Sequence, residues 1–262
     1  MPKLTLDDGV ELSYRVLGKG PNAVILVHGW MVSGAVFSSL LEVLDLQGLR
    51  VIVPDLRGSG ASGKPELTEH YALSRYARDV IALAEAESLA SYALLGHSMG
   101  GQIAQLVAIE DAEHVSGLML MCSVPAAGAP LPEHVLPGFR AAAHERAARG
   151  GIVDQVCKLL TPEDRERLLE DSDKVAPACI AGAFEAWHRG GFQERLAEIQ
   201  VPTLVIGTDD PTLPPELLRE TVVKPISRAH FVHLPGPGHY PQVESPRETA
   251  ALSQAFLAGL WG

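Results

Sequence analysis

The stretch LLGHSMGGQIA, Leu94 to Ala104, sets one hydroxyl between glycines, behind an apolar run and ahead of small residues. Its centre, Gly96-His97-Ser98-Met99-Gly100, fits the pattern G-x-S-x-G. Bulky side chains on either side of a sharp strand-to-helix turn collide with neighbouring elements, so such a turn needs glycine at both flanks. The turn holds its serine in strained backbone geometry and aims the free N–H groups and positive end of the following helix at the serine oxygen. The apolar run before Ser98 reads as a strand and the segment after it as a helix, which is the context a nucleophilic serine requires.

Working outward, the runs NAVILVHG (22–29), RVIVPD (50–55) and SYALLGH (91–97) are apolar without alternation. Buried parallel strands have this character, being covered on both faces. VSGLMLMCSV, PTLVIGTD and AHFVHL continue the series later in the chain, while KLTLDD and VELSYRV alternate and read as an antiparallel edge hairpin. Helix-like segments lie between the strands. SGAVFSSLLEVLDLQG is expected to end at a capping Gly48, SRYARDVIALAEAESL has apolar residues at helical spacing, and SPRETAALSQAFLAGL closes the chain.

Strands alternating with helices predict an α/β fold: a mostly parallel central sheet with an antiparallel N-terminal hairpin and helices on both faces. From Pro125 to Gln200 the rhythm breaks. No strand is evident, and FRAAAHERAARG, GIVDQVCKLL, TPEDRERLLEDS and ACIAGAFEAWHRGG read as helices. The expectation is a core domain of residues 1–124 and 201–262, with residues 125–200 forming a helical cap inserted between two strands. A cap placed there lies over the crevice at the strands' C-terminal ends, where such sheets bind ligands.

The 262 residues are 47% hydrophobic, enough for a large core, and 32 acidic against 21 basic residues give a net charge of −11. An acidic chain argues against nucleic acid and anionic membrane surfaces as partners. The N-terminus lacks the apolar core of a signal peptide and no run is long enough to span a bilayer, so a cytoplasmic location is expected. Cys122, Cys157 and Cys179 are too widely spaced for a disulfide framework or a CxxC metal pattern and read as buried apolar residues. No clustered ligand set suggests a metal, and no glycine-rich phosphate motif suggests a nucleotide, so neither metal nor cofactor is expected.

A nucleophilic serine needs a base. Of the ten histidines, His239 lies late, in a glycine-rich loop after the last predicted strand. His97 adjoins the serine but points away at such a turn, and His28 braces its own loop. His188 stands open between a solvated residue and a substrate contact. Asp209 and Asp210 compete as the acid after PTLVIG. The backbone N–H of Met99, the residue after the serine, is one donor to the oxyanion of a tetrahedral intermediate.

With these segments in hand, the chain resembles the α/β-hydrolases, close to cofactor-free bacterial esterases, lactonases and haloperoxidase-type perhydrolases. VHGW (27–30) resembles the family's oxyanion turn and PDLRGSGAS (54–62) the loop after its next strand. VPTLVIGTDDPTLP and GPGHYPQVESP resemble its acid and histidine segments. The resemblance covers the chain except the cap. It implies a catalytic order Ser98, Asp210, His239, with Gly207 to Asp210 matching a G-x-x-D pattern and Asp209 left as a turn residue. It further implies the Trp30 N–H as second oxyanion donor, and it makes Arg57 and its neighbours a structural brace.

The expected function is therefore hydrolysis of a small or medium, mostly apolar carboxylic ester or lactone through an acyl-enzyme, with a small-molecule acyl substrate. Trp30 and Met31 are expected to line the pocket. Phe184 and Trp187, on one face of a cap helix, are expected opposite them; with Phe192 they are equally readable as core. The alternatives are a perhydrolase, carbon–carbon bond hydrolase or cofactor-free dioxygenase on the same fold, or a non-catalytic receptor. The dioxygenase group carries its acid after the preceding strand, which here ends Cys122-Ser123-Val124, and several perhydrolases have proline where this chain has Met31; both departures favour plain hydrolysis. Ser98 excludes the aspartate-nucleophile dehalogenases and epoxide hydrolases.

Overall fold

A computed structural model describes residues 1–261. Eight strands form one sheet: β1 (Lys3–Thr5), β2 (Glu11–Gly18), β3 (Asn22–Val27), β4 (Leu49–Pro54), β5 (Tyr92–His97), β6 (Val115–Met121), β7 (Thr203–Thr208) and β8 (Ala229–Leu234). Their spatial order is β1-β2-β4-β3-β5-β6-β7-β8. β1, β2 and β4 pair antiparallel and every pair from β4 to β8 is parallel. The expected hairpin thus sits at one edge of an otherwise parallel sheet.

The helices are α1 (Ser38–Val43), α2 (Leu73–Ala86), α3 (Met99–Glu110), α4 (Leu136–Ala141), α5 (Arg146–Val156), α6 (Pro162–Ser172), α7 (Pro177–Arg189), α8 (Pro215–Leu218), α9 (Pro241–Glu244) and α10 (Pro246–Trp261). None is long and apolar enough to cross a membrane. Side chains alternate across β3 as the pleat demands. Ala23, Ile25 and Val27 join the buried cluster that contains α2 and α3. Val24 and Leu26 join the cluster on the opposite face with α1 and α10.

Two boundaries differ from the sequence expectation. α1 stops at Val43, because Leu44 turns extended and the Asp45 carboxylate accepts from the Gln47 N–H in a local turn. Gly48, with φ +75°, belongs to that turn rather than to a helix cap. Among the inserted segments, the break falls at Ala142–Glu145, and α5 runs unbroken through Gly150-Gly151. A Cβ on Gly150 would meet only the flexible end of the Arg165 side chain, at 3.0 Å, so neither glycine interrupts the helix. Between β6 and β7 the chain forms no strand, only α4 to α7 and short 3-10 turns.

Parallel pairing brings the C-terminal ends of β3, β5, β7 and β8 to one edge of the sheet. The chain leaves those ends at His28-Gly29-Trp30, at Ser98, at Asp209-Asp210 and toward His239. Four segments distant in sequence are thereby neighbours.

Candidate active site

Ser98 is strained. Its φ of 56° and ψ of −123° lie outside the regions L-residues prefer, at a cost of about 1–3 kcal/mol that the surroundings must offset. Its N–H donates to the Met121 carbonyl at 3.0 Å, and its carbonyl accepts from Gly101 at 2.9 Å and Val124 at 3.1 Å. The flanking glycines have no substitute. A Cβ on Gly96 would lie 2.5 Å from the Gly100 carbonyl oxygen, and one on Gly100 would lie 2.1 Å from that of Val27.

The serine does not stand alone. His239 Nε2 lies 2.9 Å from Ser98 Oγ, and His239 Nδ1 lies 2.5 Å from Asp210 Oδ2. A carboxylate only accepts, so Nδ1 carries the proton and Nε2 is left to accept from the serine hydroxyl. Asp210 is 1% exposed, and its other oxygen accepts from the Thr212 N–H at 2.8 Å. Asp209 faces elsewhere. It accepts from the Gly236 N–H at 3.1 Å and lies 2.9 Å from His233 Nε2. The Gly236 N–H and His233 hold its carboxyl below the usual carboxylate range.

The loop bearing His239 is fixed from two sides. The His239 N–H donates to the Val156 carbonyl at the end of α5, at 2.9 Å. Glu244 accepts from the N–H groups of Gly238 and Tyr240 in that loop and from Lys158 and Leu159 just beyond α5. Glu244 was not legible as part of the site; its partners are backbone groups that carry no sequence signature.

In the turn after β3, His28 Nδ1 donates to the Gly29 carbonyl at 2.8 Å, and Nε2 accepts from the Leu56 N–H at 2.9 Å. Burial lowers its pKa. It is a neutral brace, as expected. Among the described residues, the backbone N–H groups of Trp30 and Met99 find no protein acceptor. Two free donors flanking a strained serine suit an anion that forms during reaction.

A cavity of about 50 Å³ opens on Ser98 and His239. Trp30, Met31, Phe139 and Trp187 are among its walls, with Val156 and Leu213. Phe184, expected at this wall, is not part of it. It packs behind, with its ring 5.6 Å from Trp30 and 5.5 Å from Phe139. Phe184 and Trp187 do share one face of α7, but only Trp187 reaches the cavity. Phe139, which sequence reasoning missed, stacks on Trp30 at 5.7 Å and 11°. Trp187 Nε1 is buried without a partner among the described residues. Neither Phe192 nor His188 lines the cavity; His188 stacks on Phe184 at 5.5 Å and bonds the Ala129 carbonyl at 3.1 Å.

Arg140 and Arg189 both pair with Glu185 away from the cavity, and no lysine or arginine is among its described lining residues. Arg57, fully buried, forms a two-point pair with Asp79 at 2.5 and 2.9 Å, which makes the 54–62 loop a brace. Cys122 lies within 4.8 Å of the facing atoms of Asp210 and His239. Both imidazole nitrogens there are already engaged, and burial pushes the Cys122 thiol well up. Burial likewise raises the thiols of Cys157 and Cys179, the latter to about 11.

Residues 22–246 match the alpha/beta hydrolase fold family. The chain belongs to that family. This hydrolase is 32% identical over 245 residues to a non-heme chloroperoxidase of Burkholderia pyrrocinia, covering 82% of this chain and 84% of that one. It is 29% identical over 258 residues to a non-heme haloperoxidase of Rhodococcus erythropolis, covering 91% and 93%. Among solved structures, a thermophilic esterase from Thermogutta terrifontis superposes with a TM-score of 0.85 at 27% identity, over 100% of this chain and 99% of the other. The coarse class these relatives support is hydrolase.

Proposed function

We propose that this hydrolase cleaves short, mostly apolar carboxylic esters or lactones through an acyl-enzyme on Ser98. The observation that carries the reading is the unbroken hydrogen-bonded line Asp210–His239–Ser98 opening on a small apolar cavity. Ser98 Oγ attacks the acyl carbonyl as His239 Nε2 takes its proton. Asp210 holds the imidazole tautomer and stabilises the imidazolium. The N–H groups of Trp30 and Met99 receive the oxyanion. The alcohol leaves with the proton from His239. Water, deprotonated by the same imidazole, then releases the acid.

The cavity's volume and lack of charge favour a short uncharged acyl group, and its apolar walls exclude bulk water from the ester. In this reading residues 125–200 act as a cap, contributing Phe139, Val156 and Trp187 to the walls. The test is a panel of p-nitrophenyl esters of increasing acyl length, together with lactones. Turnover should be highest for short acyl chains and absent in Ser98→Ala. No turnover of any ester or lactone by the wild type would overturn the reading.

A second chemistry at the same acyl-enzyme has a specific motive: two relatives matched over most of the chain bear haloperoxidase names. Hydrogen peroxide attacking the acyl-enzyme in place of water gives a peracid. Met31 in place of a proline after Trp30 favours water as the main acceptor. Measuring peracid against acid formed from one ester at fixed peroxide separates the two.

A further inference from the structure

The turn that carries the Trp30 N–H is anchored in an uneven way. Upstream, His28 ties it to Leu56 of the core. Downstream, the Gly34 N–H donates to Asp55 at 2.9 Å, and Arg15 donates to the Gly34 carbonyl at 2.8 Å. Between these points, among the described residues, every long-range hydrogen bond to residues 30–33 comes from the inserted helices. The Trp30 indole donates to the Ile180 carbonyl of α7 at 2.8 Å. The N–H and Oγ of Ser33 donate to the two oxygens of Asp171 in α6, at 2.7 and 2.6 Å.

Asp171 is 5% exposed and Ser33 4%. A buried carboxylate accepting two short bonds is a strong, directional contact, since charge-assisted bonds in such surroundings are stronger than neutral ones. Both of its oxygens act on a single residue. Met31, between the anchored Trp30 and Ser33, has φ 62°. A methionine stays in the left-handed region only where its neighbours over-determine it. The strained Met31 follows directly on Trp30, so the contacts that hold Ser33 bear on the backbone next to the Trp30 N–H.

We propose that Asp171 is a positioning residue for the oxyanion site: the inserted helices complete the site by clamping Ser33, beyond covering the cavity. The proposal rests on the serine-hydrolase reading of Ser98. Asp171 itself touches no reacting atom. Its effect belongs to the step in which negative charge develops, and so to kcat rather than to ground-state binding.

The test compares Asp171→Asn, Asp171→Ala and Ser33→Ala with wild type on one short p-nitrophenyl ester and on a p-nitrophenyl alkylphosphonate. The phosphonate endpoint counts competent serine, and its rate reads the tetrahedral anion site. For Asp171→Ala we expect kcat and the phosphonylation rate to fall together by at least about tenfold, short of the roughly 10²–10³ that deleting a donor outright costs. KM should stay within about twofold and the labelling endpoint at one equivalent. The two milder variants should show smaller losses of the same kind. A variant that labels to one equivalent at the wild-type rate with wild-type kcat would overturn the clamp. So would a loss explained wholly by a reduced endpoint or a raised KM. If Asp171→Ala fails to fold, Asp171→Asn and Ser33→Ala decide the matter on the same readouts. Wild-type protein that is not labelled at Ser98 would instead overturn the serine-hydrolase reading itself.

Discussion

His97 Nε2 donates to the backbone carbonyl of His239 across 2.7 Å, so the residue before the serine holds the loop bearing the histidine that faces it. With its proton on Nε2, the ring leaves Nδ1 bare, buried and unpartnered among the described residues. Burial holds His97 well below the usual imidazole value of 6.5, with the neighbouring His239 acting in the same direction, and burial lowers His28 too.

These lowered values make a prediction about stability. The unfolded chain takes up a proton on each of these histidines below about pH 6.5, whereas the native state refuses it until lower pH. Stability from this source is complete above about pH 6.5 and is lost as pH falls toward the lowered native values. The thermal midpoint of the wild type should therefore drop through pH 6.5 to 5 more steeply than that of His97→Gln, whose amide keeps a donor for the His239 carbonyl. Equal slopes in the two proteins would show that His97 is not buried neutral.

The adjacent carboxylates should separate cleanly. Only Asp210 meets His239, while Asp209 ties down Gly236 and His233. An asparagine at the acid position elsewhere costs about 10⁴ in turnover. Asp210→Asn is expected to lose at least about a thousandfold in kcat for a short ester, and Asp209→Asn less than about tenfold. Steady-state kinetics on the two purified variants checks the order, and a reversed order would contradict the placement of the acid.

The two aromatic residues of α7 should part in the same way. Trp187 is a cavity wall and Phe184 stands behind it. Trp187→Ala should move the preferred acyl length upward while changing acetate turnover little. Phe184→Ala, at a fully buried site, should cost about 3–5 kcal/mol of stability and leave the length preference unchanged. A chain-length series and a denaturation curve on each variant report both effects. Parallel losses across all lengths in Trp187→Ala would make Trp187 ordinary packing.

The sheet and the elbow were legible because their signals are local. Runs such as NAVILV have no polar face to show, and Gly96 and Gly100 are required by backbone clashes within a few residues of Ser98. The ends of α1 and the break before α5 were not legible. A side-chain bond at Asp45 accompanies the first and an extended Glu145 the second, and neither leaves a periodic trace. Phe184 and Trp187 share a helix face, so spacing alone could not say which one reaches the cavity. The Ser33–Asp171 contact joins residues 138 apart in the chain, and nothing around either residue announces its partner.

The most direct test of the central claim is mass spectrometry of the protein treated with a p-nitrophenyl alkylphosphonate. The account predicts one phosphonyl adduct per chain, mapped to the peptide containing Ser98, released with one equivalent of nitrophenolate and absent in Ser98→Ala. Intact protein without an adduct, or an adduct that persists in Ser98→Ala, would contradict it.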